Sequence, residues 1–229
     1  MGIRCAIAPG TRADYAALAR HHYRAGPPAT FDRILRATHE GRTVGVLVVS
    51  RPVLNARWRD GLWPGRFDGP DPRRRAERLN RELRCISRVI VDPRYRSLGL
   101  AAALVRAYLR APLTPRTEAV AQMGAFSGFF RAAGMRSTPV PPSRRDAALL
   151  HVLRAARVQP WRLLDARFMR TLAPARKAAI DHSLRRCAND ARGTRALTRA
   201  PLARLAAAAA AHVASPIPAA AFAFDSPTA

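Results

Sequence analysis

The stretch LRCISRVIVDPRYRSLGLAAALVRAYL, Leu83 to Leu109, holds three local signals in a fixed order. Leu83 to Asp92 is almost continuously β-branched or apolar, the pattern of a strand buried on both faces. Pro93 to Gly99 breaks that run, and Leu100, Leu104 and Tyr108 then recur at helical spacing. A strand leading through a short loop into a helix start presents backbone N–H groups where an anion is favoured. Gly99 lets a ligand approach the backbone closely, and Arg94 and Arg96 add positive charge. The loop is therefore a candidate pyrophosphate cradle, with an ordinary strand-to-helix turn as the alternative.

Working toward the N-terminus, TRADYAALARHHYR (residues 11–24) opens on a threonine cap and spaces Tyr15, Leu18, Ala19 and His22 as a helix, ending before Gly26-Pro27-Pro28. Two strand-like runs flank Glu40-Gly41-Arg42, predicting a hairpin. Residues 51–82 are polar, basic and rich in proline, and read as a partly mobile insertion with a helical pattern from Arg73 to about Glu82. Toward the C-terminus, RTEAVAQMG (residues 116–124) predicts a strand and FSGFFRAAGM (residues 126–135) a short helix ended by Gly134. The prolines at 139–142 close a first domain, residues 1–143. An alanine-rich, basic helical extension follows over 144–212, and 213–229 is expected to be a disordered tail.

The chain has 229 residues, with 40 Lys+Arg against 15 Asp+Glu for a formal charge of +25. Only Lys177 is lysine. A hydrophobic content of 48% excludes a disordered or collagen-like chain. The charge excess calls for a polyanion, most simply nucleic acid or anionic lipid, with phosphates as the default partner. Cys5, Cys85 and Cys187 lie far apart with no C-x-x-C pair, which argues against a disulfide framework and a zinc ribbon and predicts no metal. No apolar run separates Arg4 from Asp14, and Leu205 to Phe224, although uncharged, is mostly alanine and broken by Pro216 and Pro218. The expectation is a cytoplasmic protein without a membrane span.

Arg96-Ser97-Leu98-Gly99-Leu100-Ala101 resembles the acyl-CoA loop of the GNAT acyltransferase superfamily, R/Q-x-x-G-x-G/A. RCISRVIVDP before it and FFRAAGM after it are similar to that superfamily's fourth strand and to the short helix after its fifth. The resemblance implies an α/β (α+β) fold, a mixed sheet flanked by helices and splayed between strands four and five, with acetyl-CoA or another acyl-CoA in the gap. It assigns cofactor contacts to Val89, Val91, Arg94, Arg96, Ser97, Leu98, Gly99, Leu100 and Ala101. His22-Tyr23, GVLVVSRPVLN and SRVIVDPRYRSLG further resemble GNAT-like domains fused to ABC-type ATPases and, more distantly, phage Mom proteins that modify adenine in DNA. That likeness implies an ABC-type ATPase as a partner. It covers most of the first 143 residues and nothing beyond them.

Acyl transfer to an amine calls for a base and an acid near the thioester. His22 and Tyr23 supply an imidazole and a phenol, and the Mom-like resemblance puts this pair in the active site; a packed pair is the alternative. His21 lies about 100° around the helix from His22 and reads as a solvent histidine. Glu118, in the candidate fifth strand, can act as a base or pair with an arginine. Arg88 is a further candidate for the catalytic site; it and Asn55 stand beside apolar strand sequence and should bond to their surroundings or to substrate. Phe126, Phe129 and Phe130 occupy the region where the superfamily often carries an acid tyrosine, and they cannot donate a proton.

Arg57, Trp58, Arg59, Trp63, Arg73, Arg74 and Arg75 form the candidate nucleic-acid contact, guanidiniums on phosphates and indoles on bases, unless the tryptophans pack on the domain. Arg185, Arg186, Arg192, Arg195, Arg199 and Arg204 form a second basic series without a sequence-reading motif. The sequence thus predicts an acyl-CoA-dependent acyltransferase acting on nucleic acid or a nucleic-acid-associated substrate. The alternatives are a Mom-like base-modifying enzyme and an inactive GNAT-fold nucleic-acid-binding module.

Overall fold

The computed structural model describes residues 4–22, 26–122, 124, 128–189, 205–206, 210, 213 and 219–227. The chain divides into two compact units, Met1–Val140 with Ile217–Ala229, and Pro141–Pro216.

The first unit is a seven-stranded mixed sheet flanked by helices. After β1 (Ala6–Pro9), helix α1 (Arg12–Ala19) starts at a reciprocal cap, in which the Thr11 hydroxyl accepts from the Asp14 N–H and the Asp14 carboxylate from the Thr11 N–H. The hairpin β2 (Arg33–His39) and β3 (Arg42–Ser50) turns through Glu40 and Gly41 at φ 48° and 75°. Positive φ at both central residues matches the natural twist of paired strands. Helix α2 (Pro72–Glu82) runs into β4 (Leu83–Val91), and a 3-10 turn (Pro93–Tyr95) leads to α3 (Leu100–Leu109). Then come β5 (Arg116–Ala121), α4 (Phe129–Ala132) and β6 (Arg136–Pro139). Last in the chain is β7 (Ala220–Asp225), and the sheet order is β1-β2-β3-β4-β5-β7-β6. The β4–β5 pair is parallel, and the other strand pairs described are antiparallel.

The unbroken apolar run of β3 is explained by burial on both faces. Val46 and Val48 pack with Tyr15 and Leu18 of α1, while Leu47 and Val49 pack with Leu100, Leu104 and Tyr108 of α3.

Two expectations are corrected. Residues 213–229 do not form a wholly disordered tail, because β7 sits between β5 and β6, with Phe222 and Ala223 fully buried. The helical segment is thus followed by a strand of the first unit's sheet. The 51–82 segment is anchored rather than loose: it carries α2 and buries Leu62, Trp63, Phe67 and Leu79 with Leu83, Ala221 and Ala223. Burying side chains this large stabilises by about 2 kcal/mol each, which offsets the entropy of ordering the segment.

The second unit holds α5 (Arg144–Ala155), a 3-10 segment (Pro160–Leu164), α6 (Ala166–Thr171) and α7 (Pro174–Asn189). Its core joins Leu149, Leu153, Met169, Ile180 and Leu184 with Leu205, Ala206, Ala210 and Val213. Among the described residues no helix is long and apolar enough to cross a membrane.

Candidate functional site

A β-bulge opens the sheet. In the β3–β4 register Val49 faces Ile86 and Val48 faces Arg88, which leaves Ser87 as the extra residue. The Ser87 hydroxyl lies 2.6 Å from that of Ser50, which donates to the Thr30 carbonyl at 2.6 Å, so the bulge is held by hydrogen bonds. A bulge bends its strand and increases its twist. Pairing of β4 with β5 stops at the preceding residue, Ile86 opposite Ala119. Beyond it the strands part, and a cleft of about 700 Å³ lies between Ile86–Val91 and Val120–Gln122.

One end of the cleft is the loop into α3. Asp92 caps the 3-10 turn, and the Arg94 guanidinium and backbone N–H hold its carboxyl well below the usual carboxylate range. Ser97 and Gly99 both take left-handed backbone, φ 63° and 75°. No side chain caps α3 at Gly99, and a Cβ added there meets nothing within 4 Å. The first-turn N–H groups of α3 are therefore left without a capping side chain, as an anion site requires. Val89, Val91, Arg96, Ser97, Gly99, Leu100 and Ala101 line the cleft. Arg94, engaged with Asp92, and Leu98, 54% exposed, do not.

The other group of cleft residues comes from the α1 side of the sheet. His21 and His22, just past α1, line the cleft together with Arg88, and both histidines are half-buried. His21, read from sequence as a solvent residue, accepts from Arg20 Nε at 3.3 Å. Tyr23 lies outside the described residues, as do Phe126, Arg192, Arg195, Arg199 and Arg204. Phe129 and Phe130 line the cleft, with ring centres 4.3 Å apart and planes tilted by 36°.

Glu118 does not line the cleft. It is 1% exposed, and both carboxylate oxygens accept from Arg59, Oε2 from Nε and Oε1 from Nη2, each at 2.8 Å. Of the two roles open to Glu118 in the sequence, the structure shows the arginine pair, because β5 turns this side chain away from α3 toward the 51–82 segment. The same contact corrects Arg59, which is 3% exposed and spends its remaining donors on the Val53 and Leu54 carbonyls. Trp63 is 7% exposed and donates to Asp225 at 2.8 Å, so it cannot stack on a base. Trp58 packs partly against the same core, whereas Arg57, Arg73 and Arg74 stay exposed. Arg75 donates to Asn55 at 3.2 Å, away from the cleft.

The sequence reading missed Ser87 and Gln122. The signal for Ser87 was present, a serine inside an apolar strand, but which residue bulges depends on register with β3.

No protein-family model matches the chain, and no curated protein matches it. Among solved structures it is similar to Ard1 from Thermoplasma volcanium, at 15% identity and a TM-score of 0.38, over 58% of this chain and 84% of that one. The chain has a mixed α/β fold, a seven-stranded sheet flanked by helices and parted between β4 and β5.

Proposed function

We propose that the protein is an acyl-CoA-dependent acyltransferase of GNAT type, acting on nucleic acid or on a substrate held near it. The observation that carries the reading is the cleft opened at Ser87, with the uncapped start of α3 at one end. Past Ile86 the edge of β4 that faces β5 has no strand partner among the described residues, so its backbone groups suit an extended ligand containing amides. Bound acyl-CoA would supply an acyl group activated as a thioester. Val89 and Val91 would hold the pantetheine chain, and the first-turn N–H groups of α3, with Arg96, would balance the phosphates. With an acyl-CoA bound, His22 would take the proton of the attacking amine and Tyr23 would supply a proton to the departing thiolate. Glu118 is not proposed as the base, since Arg59 occupies both its oxygens. The nucleic-acid part of the reading rests on exposed Arg57, Arg73 and Arg74 and on the charge of +25.

The test is calorimetric titration of acetyl-CoA into nucleic-acid-free protein, beside Arg96→Glu and Arg96→Glu/Gly99→Glu variants whose melting curves report folding. Binding to the wild type, at least tenfold weaker in the single variant and abolished in the double, is expected. No binding to the wild type overturns the cofactor reading. Altered nucleosides in DNA from expressing cells would then favour base modification, and unaltered ones a non-catalytic nucleic-acid-binding module.

A further inference from the structure

Of the two buried arginines among the described residues, Arg59 and Arg88, only Arg88 has no acid beside it. Arg59 pairs with Glu118, Arg84 with Asp32 at 2.7 Å, and Arg116 with Glu82 at 3.2 Å. Arg88 is 7% exposed, and it donates to backbone carbonyls, that of Ser87 from Nη1 at 2.8 Å and that of Gly26 from Nη2 at 3.3 Å. Its Nε is buried without a hydrogen-bond partner. A guanidinium cannot shed its proton to escape burial, and an uncompensated buried charge is costly. Carbonyl dipoles offset only part of that cost. The residue also lines the cleft, immediately past the bulge and on the α1 side of the sheet with Ile90, His21 and His22. The cleft therefore has two cationic regions, Arg96 with the start of α3, and Arg88.

We propose that Arg88 binds a carboxylate of the acyl acceptor, so that the acceptor is a small amine bearing a carboxylate, as an amino acid does. The inference rests on the acyltransferase reading and, of the two acceptors named there, takes the substrate held near nucleic acid rather than the polymer itself. Three observations select the ligand. The guanidinium carries one charge, and Nη1 and Nη2 each keep an N–H beyond the ones given to Ser87 and Gly26, which suits a monoanion taking two parallel N–H bonds. A phosphomonoester would bring a second charge, and the described groups beside Arg88 that could meet it are the imidazoles of His21 and His22 rather than a second permanent cation. A phosphodiester is also a monoanion, but its polymer would have to enter and leave past a side chain that is 7% exposed, in a cleft of about 700 Å³ shared with the acyl donor. A volume of this order suits small molecules.

The experiment follows the Arg88 Nε–Hε resonance in full-length protein carrying ¹⁵N-arginine, identified by its absence from the Arg88→Lys spectrum. The probes are N-acetylglycine, its neutral carboxamide N-acetylglycinamide, and dimethyl phosphate, at matched ionic strength. The expected result is a saturable shift with N-acetylglycine alone, with calorimetric affinity at least tenfold lower in Arg88→Met and intermediate in Arg88→Lys. Equal responses to acid and amide, no saturable response, or a response to dimethyl phosphate alone overturns the carboxylate assignment. Should Arg88→Met fail to fold, the wild-type comparison of acid and amide decides by itself. Titrating acetyl-CoA into the same wild-type sample separates the two readings. Acetyl-CoA binding without discrimination between acid and amide overturns this inference alone, and discrimination without acetyl-CoA binding overturns the transferase reading, leaving Arg88 a carboxylate site that serves no acyl acceptor.

Discussion

Arg59 and Glu118 bring opposite charges into a region where neither meets water, joined by two hydrogen bonds of 2.8 Å. Removing one partner of such a pair leaves an uncompensated buried charge and typically costs about 3–5 kcal/mol. Arg59→Met and Glu118→Leu should each lower stability by that order in denaturant unfolding. The double variant should lose clearly less than the sum, since each single loss counts the same stranded charge. Additive losses would show that the two side chains do not act as a pair. The sequence supplied both residues and left their roles open. Nothing in either local stretch says that positions 59 residues apart meet. Arg88 shows the converse: its place in an apolar strand was legible, but that no acid among the described residues neighbours it is a property of the packed sheet.

Among the elements, α1 is held to the sheet through its own cap. Asp14 closes the helix N-terminus and also accepts from Thr43 of β3 at 2.6 Å and from Arg36 of β2 at 3.4 Å. Burial by itself would raise its carboxyl, but the hydrogen bonds from Thr43, Thr11 and Arg36 prevail and hold it at about 2, below the ordinary 3.8. A carboxyl depressed by folding stabilises above its unfolded value, and the contribution is lost as pH falls through the folded one. Asp14→Asn should therefore cost about 1 kcal/mol at neutral pH, solvent screening included. That difference from wild type should shrink as pH drops from 3.8 toward 2. A gap in thermal unfolding that stays constant over this window would refute the assignment. The cap, the hairpin turn at Glu40-Gly41 and the strand, loop and helix of 83–109 were legible because their causes are local: a side chain bonding its own backbone, positive φ at a turn, and apolar periodicity.

At the scale of the whole molecule, the charge of +25 is the largest unspent quantity, because 40 basic residues face only 15 acids and no internal pairing reduces the excess. Packing removes Arg59 and Trp63 from the surface that the 51–82 segment can offer a polyanion and leaves Arg57, Arg73 and Arg74 exposed. If these three meet phosphates, replacing them with glutamine should weaken oligonucleotide binding about equally for all sequences. The slope of log affinity against log salt should fall by about 3, roughly one unit for each phosphate that is no longer neutralised. An unchanged slope in fluorescence anisotropy would place the phosphates on other arginines.

By itself the sequence determined the individual strands and helices of residues 83–109, the basic character and the loop ahead of α3, because hydrophobic periodicity, net charge and turn chemistry act over a few residues or none at all, whereas the mixed α/β class was an expectation from the family resemblance. Only the tertiary structure decided the rest: that β7 returns to lie between β5 and β6, that Ser87 is the residue at which the sheet parts, that Arg59 answers Glu118, and that no described acid answers Arg88. Strand pairing, register and the compensation of buried charge depend on partners distant along the chain, and those partners meet only when the core forms.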